Sequence, residues 1–143
     1  EKAFGTTPGY AELMGTIRSY RNPDLDRLKY DATEKAKIIA EKYGLELEFE
    51  WVEEFSASIN DHHAVEMIKV AAERSKVKYQ HIREPNRWSE DFGYFLDNYP
   101  GAIFGLGTGE NMPELHNPDY DFPEELIPFG VSIFSSIIDQ INK

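Results

Sequence analysis

The fold is decided by residues 10–51, which run YAELMGTIRSYRNPDLDRLKYDATEKAKIIAEKYGLELEFEW. Residues 10–20 alternate in polarity, as a half-buried β-strand does. Asn22 and Pro23 fit the start of a helix, and Gly44 fits its end. Residues 45–51 alternate again, with glutamates on one face and apolar side chains on the other. The pattern predicts a β-α-β unit.

The rest of the chain predicts a second lobe with an α/β arrangement. Residues 53–60 are polar and lack periodicity, which indicates a passage between lobes. A helix follows, for which either Asn60 or Asp61 is a suitable N-cap. The apolar run 102–106 is bounded by glycines, as expected of a parallel strand covered on both faces. We also expect a short strand at 77–81, a helix capped by Ser89, and a C-terminal helix starting near Glu124. The predicted domains are 1–54 and 55–143.

Charge and composition exclude several classes of partner. The chain has 15 Lys and Arg against 26 Asp and Glu, which gives a net charge of −11. Such an excess of carboxylates repels phosphate backbones, so we expect no nucleic-acid partner. No apolar run reaches the ~20 residues of a membrane helix, and there is no cysteine. We expect a cytoplasmic protein without a membrane partner. Because the sequence begins with Glu1 and shows no targeting segment, we also expect an excised part of a longer protein.

The histidines give at most a weak signal for a metal site. None of the four lies in a paired spacing such as H-x-x-x-H. His116 differs from the others because it lies in a long loop, 107–123, that follows a predicted buried strand. Ligands bind at that edge of α/β sheets. From the spacing alone, however, a loop histidine without a function is the simpler interpretation.

Two further candidates each have an ordinary structural explanation. Ser89, Glu90 and Asp91 are what a helix N-cap with two acids in its first turn requires. Arg18 lies on the polar face of its predicted strand, where an arginine is usually solubilising. The alternative is a bidentate contact with a carboxylate.

Four segments in order resemble a known enzyme family. They are GTIRSY (15–20), SEDFGYF (89–95), PGAIFGLG (100–107) and LHNPDYDF (115–122). Together they resemble the metal-dependent amidohydrolases of the aminoacylase, hippurate-hydrolase and glutamate-carboxypeptidase type. The resemblance covers essentially the whole chain, but only the C-terminal part of a family member.

The resemblance implies both a fold and a site. Residues 1–54 would be the β-α-β half of a ferredoxin-like lid or dimerisation domain. Residues 55–143 would be the C-terminal helices and parallel strands of a di-zinc catalytic α/β domain. His116 matches the histidine that ligates one of two divalent metal ions, usually zinc, whose bridging water attacks an amide carbonyl. Arg18 matches a lid arginine suited to a substrate carboxylate, and residues 89–91 match a segment beside the active site.

The resemblance also shows what this chain lacks. The family's glutamate base and most of its metal ligands belong to the N-terminal half, so we expect no catalytic residue here and no tight metal binding by this chain alone. The expected function is that of a fragment, inactive by itself, of an enzyme that hydrolyses N-acyl amino acids or small peptides. The alternative is a non-catalytic module that dimerises or binds peptide. In either case we expect a homodimer.

Overall fold

A computed structural model of the 143-residue chain describes residues 4–88 and 90–142. The elements are helices α1 (Asn22–Tyr43), α2 (His62–Arg74), α3 (Gly93–Leu96) and α4 (Ile127–Ile141), with a 3-10 turn at Glu124–Leu126 just before α4. Within these described ranges there is no β-strand, so the predicted α/β fold class is wrong. None of the described helices has the length and apolar character needed to cross a bilayer.

The correction concerns every predicted strand, including the β-α-β unit and the parallel strands of the second lobe. Residues 10–20, 45–51, 77–81 and 102–106 join no sheet in the part of the chain that the structure describes. Alternating polarity identifies the face that a segment would bury. A sheet, however, forms only where a second strand completes a ladder of hydrogen bonds. The alternation was present in the sequence, but no neighbouring strand covers these segments in the described part of the chain, and the apolar side chains of residues 45–49 remain exposed.

The chain divides into two compact units, Glu1–Glu50 and Trp51–Lys143. The first contains α1, and the predicted helix between Asn22 and Gly44 is confirmed. Gly44 ends it with a φ of 63°, a left-handed conformation that glycine adopts without a steric penalty. On its surface Glu34 accepts a 2.9 Å hydrogen bond from Lys37, and this bond raises the pKa of the lysine amine. That this unit is part of a lid stays a prediction.

The core of the second unit lies between α2 and α4. Ala71 and Ala72 of α2 and Ile133 of α4 are buried there. Two side chains tie the helices together, because the Gln140 amide donates to the Met67 carbonyl at 3.1 Å and the Ser75 hydroxyl donates to the Ser132 carbonyl at 3.2 Å. Small alanines on α2 allow this close approach.

Helix α4 also contacts the segment 102–106. The rings of Phe104 and Phe134 lie 5.5 Å apart, and the Leu106 side chain lies beside Gly130. Ile103, which directly precedes Phe104 in sequence, is exposed. This segment is therefore covered on one face, whereas the sequence predicted cover on both.

Candidate functional site

A polar segment before α2 contacts two of the motif segments through alternate side chains. The Ser56 hydroxyl donates to Asp97 Oδ2 at 2.6 Å, and the Ser58 hydroxyl donates to Glu90 Oε1 at 3.0 Å. Asn60 reaches the backbone of Ile103. We call residues 56–60 the strap, because it joins the region around Glu90 to the segment that leads into the loop 107–123.

Glu90 is the most firmly held of the candidate acids. It is half-buried, and its two carboxylate oxygens have different donors. Oε1 accepts from Ser58, while Oε2 accepts from the backbone N–H of Phe92 at 3.3 Å. Asp91 is exposed, and its carbonyl accepts from Tyr94 N at 3.1 Å. Ser89, predicted as the cap of this helix and as a site residue, lies outside the described residues.

Gly93 explains how the strap approaches this motif so closely. It is buried, and a Cβ atom at this position would overlap the carbonyl oxygen of Ser56. Only glycine leaves room for the strap backbone here. The glycine of SEDFGYF therefore has a packing role.

Asn60 and Asp61 have different structural roles, which the sequence alone did not distinguish. Asp61 is the N-cap of α2, and its side chain accepts from Ala64 N at 2.9 Å. Asn60 instead grips Ile103 at two points, because its Oδ1 accepts from Ile103 N and its Nδ2 donates to Ile103 O, both at 2.9 Å. The backbone N–H of Asp61 adds a bond to Gly101 O at 2.8 Å. The start of α2 is thus fixed to residues 101–103.

His116 lies in the loop 107–123 in an unusual backbone conformation. Its φ is 72°, in the left-handed region that disfavours residues with a side chain. Asn117 N donates to Glu114 O at 3.1 Å and Tyr120 N donates to Asn117 O at 3.0 Å, so the histidine stands at a tight double turn. The imidazole is exposed. Such conformations persist where the surroundings impose them, and they cluster at functional sites.

The remaining candidates are exposed. Arg18 is exposed and belongs to the first unit. His62 and His63 are exposed in the first turn of α2. His81, at the end of the segment 77–81 that was predicted to be a short strand, is also exposed.

A complete metal site is not formed by the described residues. Across 4–88 and 90–142, no group of three or more histidine, cysteine, aspartate or glutamate side chains is placed to hold an ion. Tight zinc sites use three or four protein ligands. The described residues therefore do not fit a metal by themselves, and His116 can supply at most one ligand to a site that other residues complete.

Ser58 and Asn60 are the residues that sequence analysis missed. The segment 53–60 was predicted to be a passage between lobes, yet its side chains contact residues 90, 97 and 103. The predicted lack of periodicity was wrong for residues 55–60, because polar residues occupy the alternate positions 56, 58 and 60 and so share one side of a non-helical segment.

Comparison with known proteins places the chain among peptidases. The sequence profile of peptidase family M20/M25/M40 matches residues 2–140. An N-acetyldiaminopimelate deacetylase of Exiguobacterium sibiricum is 26% identical over 126 residues, which is 87% of this chain and 33% of the relative. The N-acetylcysteine deacetylase of Bacillus subtilis is 25% identical over 135 residues, 94% of this chain and 35% of the relative.

A third relative shares a shorter and more similar stretch. An N-acetyldiaminopimelate deacetylase of Streptococcus suis is 43% identical over 54 residues, 38% of this chain and 14% of the relative. The chain spans about a third of the length of the curated relatives it matches along most of its own length. No solved structure matches it with comparable significance.

Proposed function

Because this chain belongs to peptidase family M20/M25/M40, we propose that it forms part of an amidohydrolase that cleaves the amide bond of N-acyl amino acids. The named relatives support the substrate class, since they are deacetylases of N-acetylcysteine and N-acetyldiaminopimelate. The observation that carries the proposal is His116. Its left-handed backbone presents an exposed imidazole from a tight turn inside the family-like segment 115–122.

The roles of the candidate residues follow from their chemistry. His116 would be one ligand of a site for two divalent ions, usually zinc, and the family is typically metal-dependent. Bound metal would supply an activated water and polarise the carbonyl. Glu90, with Asp91 beside it, would contribute fixed negative charge near this site. Arg18 would bind the carboxylate of the substrate, because a guanidinium can grip it bidentately.

We expect the chain to be inactive alone. The described residues bring together no group of three or more side chains that could hold a metal ion. Since the relatives are about three times longer than the matched region, the missing groups would come from the rest of such an enzyme. The most direct experiment therefore joins this chain to the rest of such an enzyme.

The test is a chimera in which this chain replaces the matching third of the Bacillus subtilis N-acetylcysteine deacetylase. We expect the chimera to deacetylate N-acetylcysteine in the presence of zinc. His116→Ala should lower the turnover at least roughly 100-fold, because loss of a metal ligand removes the activated water. His81→Ala is the matched control, since that histidine is also exposed and lies outside the motif segments. Equal activity of the two variants would remove His116 from the site.

The exposed apolar side chains of the first unit favour a second function, that of a module for dimerisation or peptide binding. Leu13 and Met14 are 99% and 86% exposed. Monomeric proteins rarely leave large apolar patches uncovered. We propose homodimerisation through this unit, which is compatible with either function and can be measured without any activity.

A further inference from the structure

Side chains of the strap bond to three other parts of the described chain, and these contacts differ in what they hold. Ser56 bonds an aspartate that lies just after α3. Ser58 bonds the carboxylate of Glu90, whose other oxygen holds Phe92 N. Asn60 bonds both backbone groups of Ile103. Two of the three contacts therefore lead directly to residues or segments of the proposed site.

The Asn60 contact is specific in its chemistry. A primary amide carries an acceptor oxygen and a donor nitrogen on the same carbon, and these match the N–H and C=O of a single extended residue. Serine or alanine cannot make this pair of bonds. Because Asp61 N also bonds Gly101 O, three hydrogen bonds fix residues 101–103. The loop that carries His116 starts four residues after Ile103.

The Ser58 contact restricts a side chain that would otherwise be mobile. Glutamate has several rotatable bonds, and an exposed carboxylate samples many positions. With a hydroxyl on one oxygen and a backbone N–H on the other, Glu90 keeps one orientation. Ser58 lies 32 residues away in sequence, so the contact also fixes the strap relative to SEDFGYF.

We propose that Ser58 and Asn60 are positioning residues of the amidohydrolase site, with Ser58 orienting Glu90 and Asn60 fixing the entry to the His116 loop. The positioning role rests on the proposed function, because it presupposes an amidohydrolase site. Its structural part can be measured on the chain itself. Neither residue touches substrate; each acts through another residue.

The test uses amide hydrogen exchange, followed by NMR, on the 143-residue chain. Asn60→Ala should speed exchange at Ile103 N–H, and Ser58→Ala should speed exchange at Phe92 N–H, each roughly two- to tenfold for the loss of one hydrogen bond. Exchange at Val65 N–H within α2 should stay unchanged in both variants. Ser56→Ala is the matched control and should affect neither Ile103 nor Phe92. Faster exchange at all of these amides would indicate general destabilisation and overturn the inference.

A conservative variant gives a second readout that general destabilisation would not produce. Asn60→Asp keeps the acceptor for Ile103 N–H but places a second acceptor against the Ile103 carbonyl. Protonation of the aspartate restores a donor. The quantity to follow is the ratio of the Ile103 exchange rate in the variant to the rate in the unsubstituted chain at the same pH. We expect this ratio to return toward 1 as the pH falls below about 4. A ratio that does not change with pH would contradict the two-point contact.

The purpose of the strap is tested in the chimera. Asn60→Ala and Ser58→Ala should lower kcat several-fold with little change in KM, because they misplace groups without removing them. Unchanged kcat in these variants, with His116→Ala inactive, would overturn the positioning role and leave the proposed function standing. If hydrogen exchange in the chain changed as expected but His116→Ala left the activity of the chimera unchanged, the proposed function would be overturned instead.

Discussion

At the scale of single residues, the left-handed backbone of His116 lowers stability at a position for which we propose a metal-binding role. A side chain at a φ of 72° costs roughly 1–2 kcal/mol, because Cβ approaches the backbone carbonyl oxygen. Glycine would avoid this cost, yet a histidine occupies the turn. The sequence shows only that a histidine lies in a long loop. The backbone angle adds a reason to suspect function that no residue pattern could supply.

The strain predicts an order of stability for two substitutions. Both His116→Gly and His116→Ala remove the imidazole, but only glycine removes the Cβ atom. We expect the free energy of unfolding of the glycine variant to exceed that of the alanine variant by roughly 1 kcal/mol. Urea unfolding followed by circular dichroism measures this difference. If the alanine variant were equally stable, the turn would relax without strain, and the support that backbone geometry gives to His116 would be lost.

At the scale of elements, the helices could be predicted and the strands could not. Helix α1 is determined locally, by Pro23 at its start and Gly44 at its end, and the structure confirms it. The strands required hydrogen-bonding partners that alternation does not identify. The strap was missed for a related reason. Its contacts join residues 32 to 43 positions apart, and such long-range hydrogen bonds leave little trace in sequence spacing.

Helix α4 shows a different limit of prediction. Its sequence is apolar on nearly all sides, so periodicity could not select the buried face. The sequence nevertheless predicts a broad buried face made of residues 127, 130, 131, 134, 137, 138 and 141. This prediction was largely wrong. Ile133, which lies outside that set, is buried, and within the set only Gly130 is buried while most other members are exposed. Those exposed side chains are Ile127, Val131, Phe134, Ile138 and Ile141.

This arrangement of α4 can be tested with two substitutions of the same kind. Ile133 is 3% exposed and packs toward α2, whereas Ile138 is 56% exposed. Ile133→Ala should lower the free energy of unfolding by about 2–4 kcal/mol, because it leaves a cavity. Ile138→Ala should cost less than about 1 kcal/mol. Thermal or urea unfolding of both variants provides the measurement, and equal losses would mean that the α2–α4 packing described here is wrong.

At the scale of the whole molecule, charge and apolar surface oppose each other. The net charge of −11 repels a second copy of the chain. The first unit nevertheless exposes large apolar side chains, with Tyr10 81% exposed in addition to Leu13 and Met14. Burial of such surface contributes roughly 25 cal/mol for each Å² removed from water. Salt screens the repulsion, with a Debye length of about 10 Å at 0.1 M, and leaves the apolar contribution in place.

We therefore expect the chain to self-associate more strongly as the salt concentration rises. Sedimentation equilibrium at several salt concentrations should show a monomer at low salt and a growing fraction of dimer at high salt. Replacing both Leu13 and Met14 with serine should keep the chain monomeric. Ile127→Ser, which changes an exposed apolar residue of the second unit, is the control and should leave association intact. A monomer at every salt concentration would contradict dimerisation, and loss of the dimer only with Ile127→Ser would move the interface to α4.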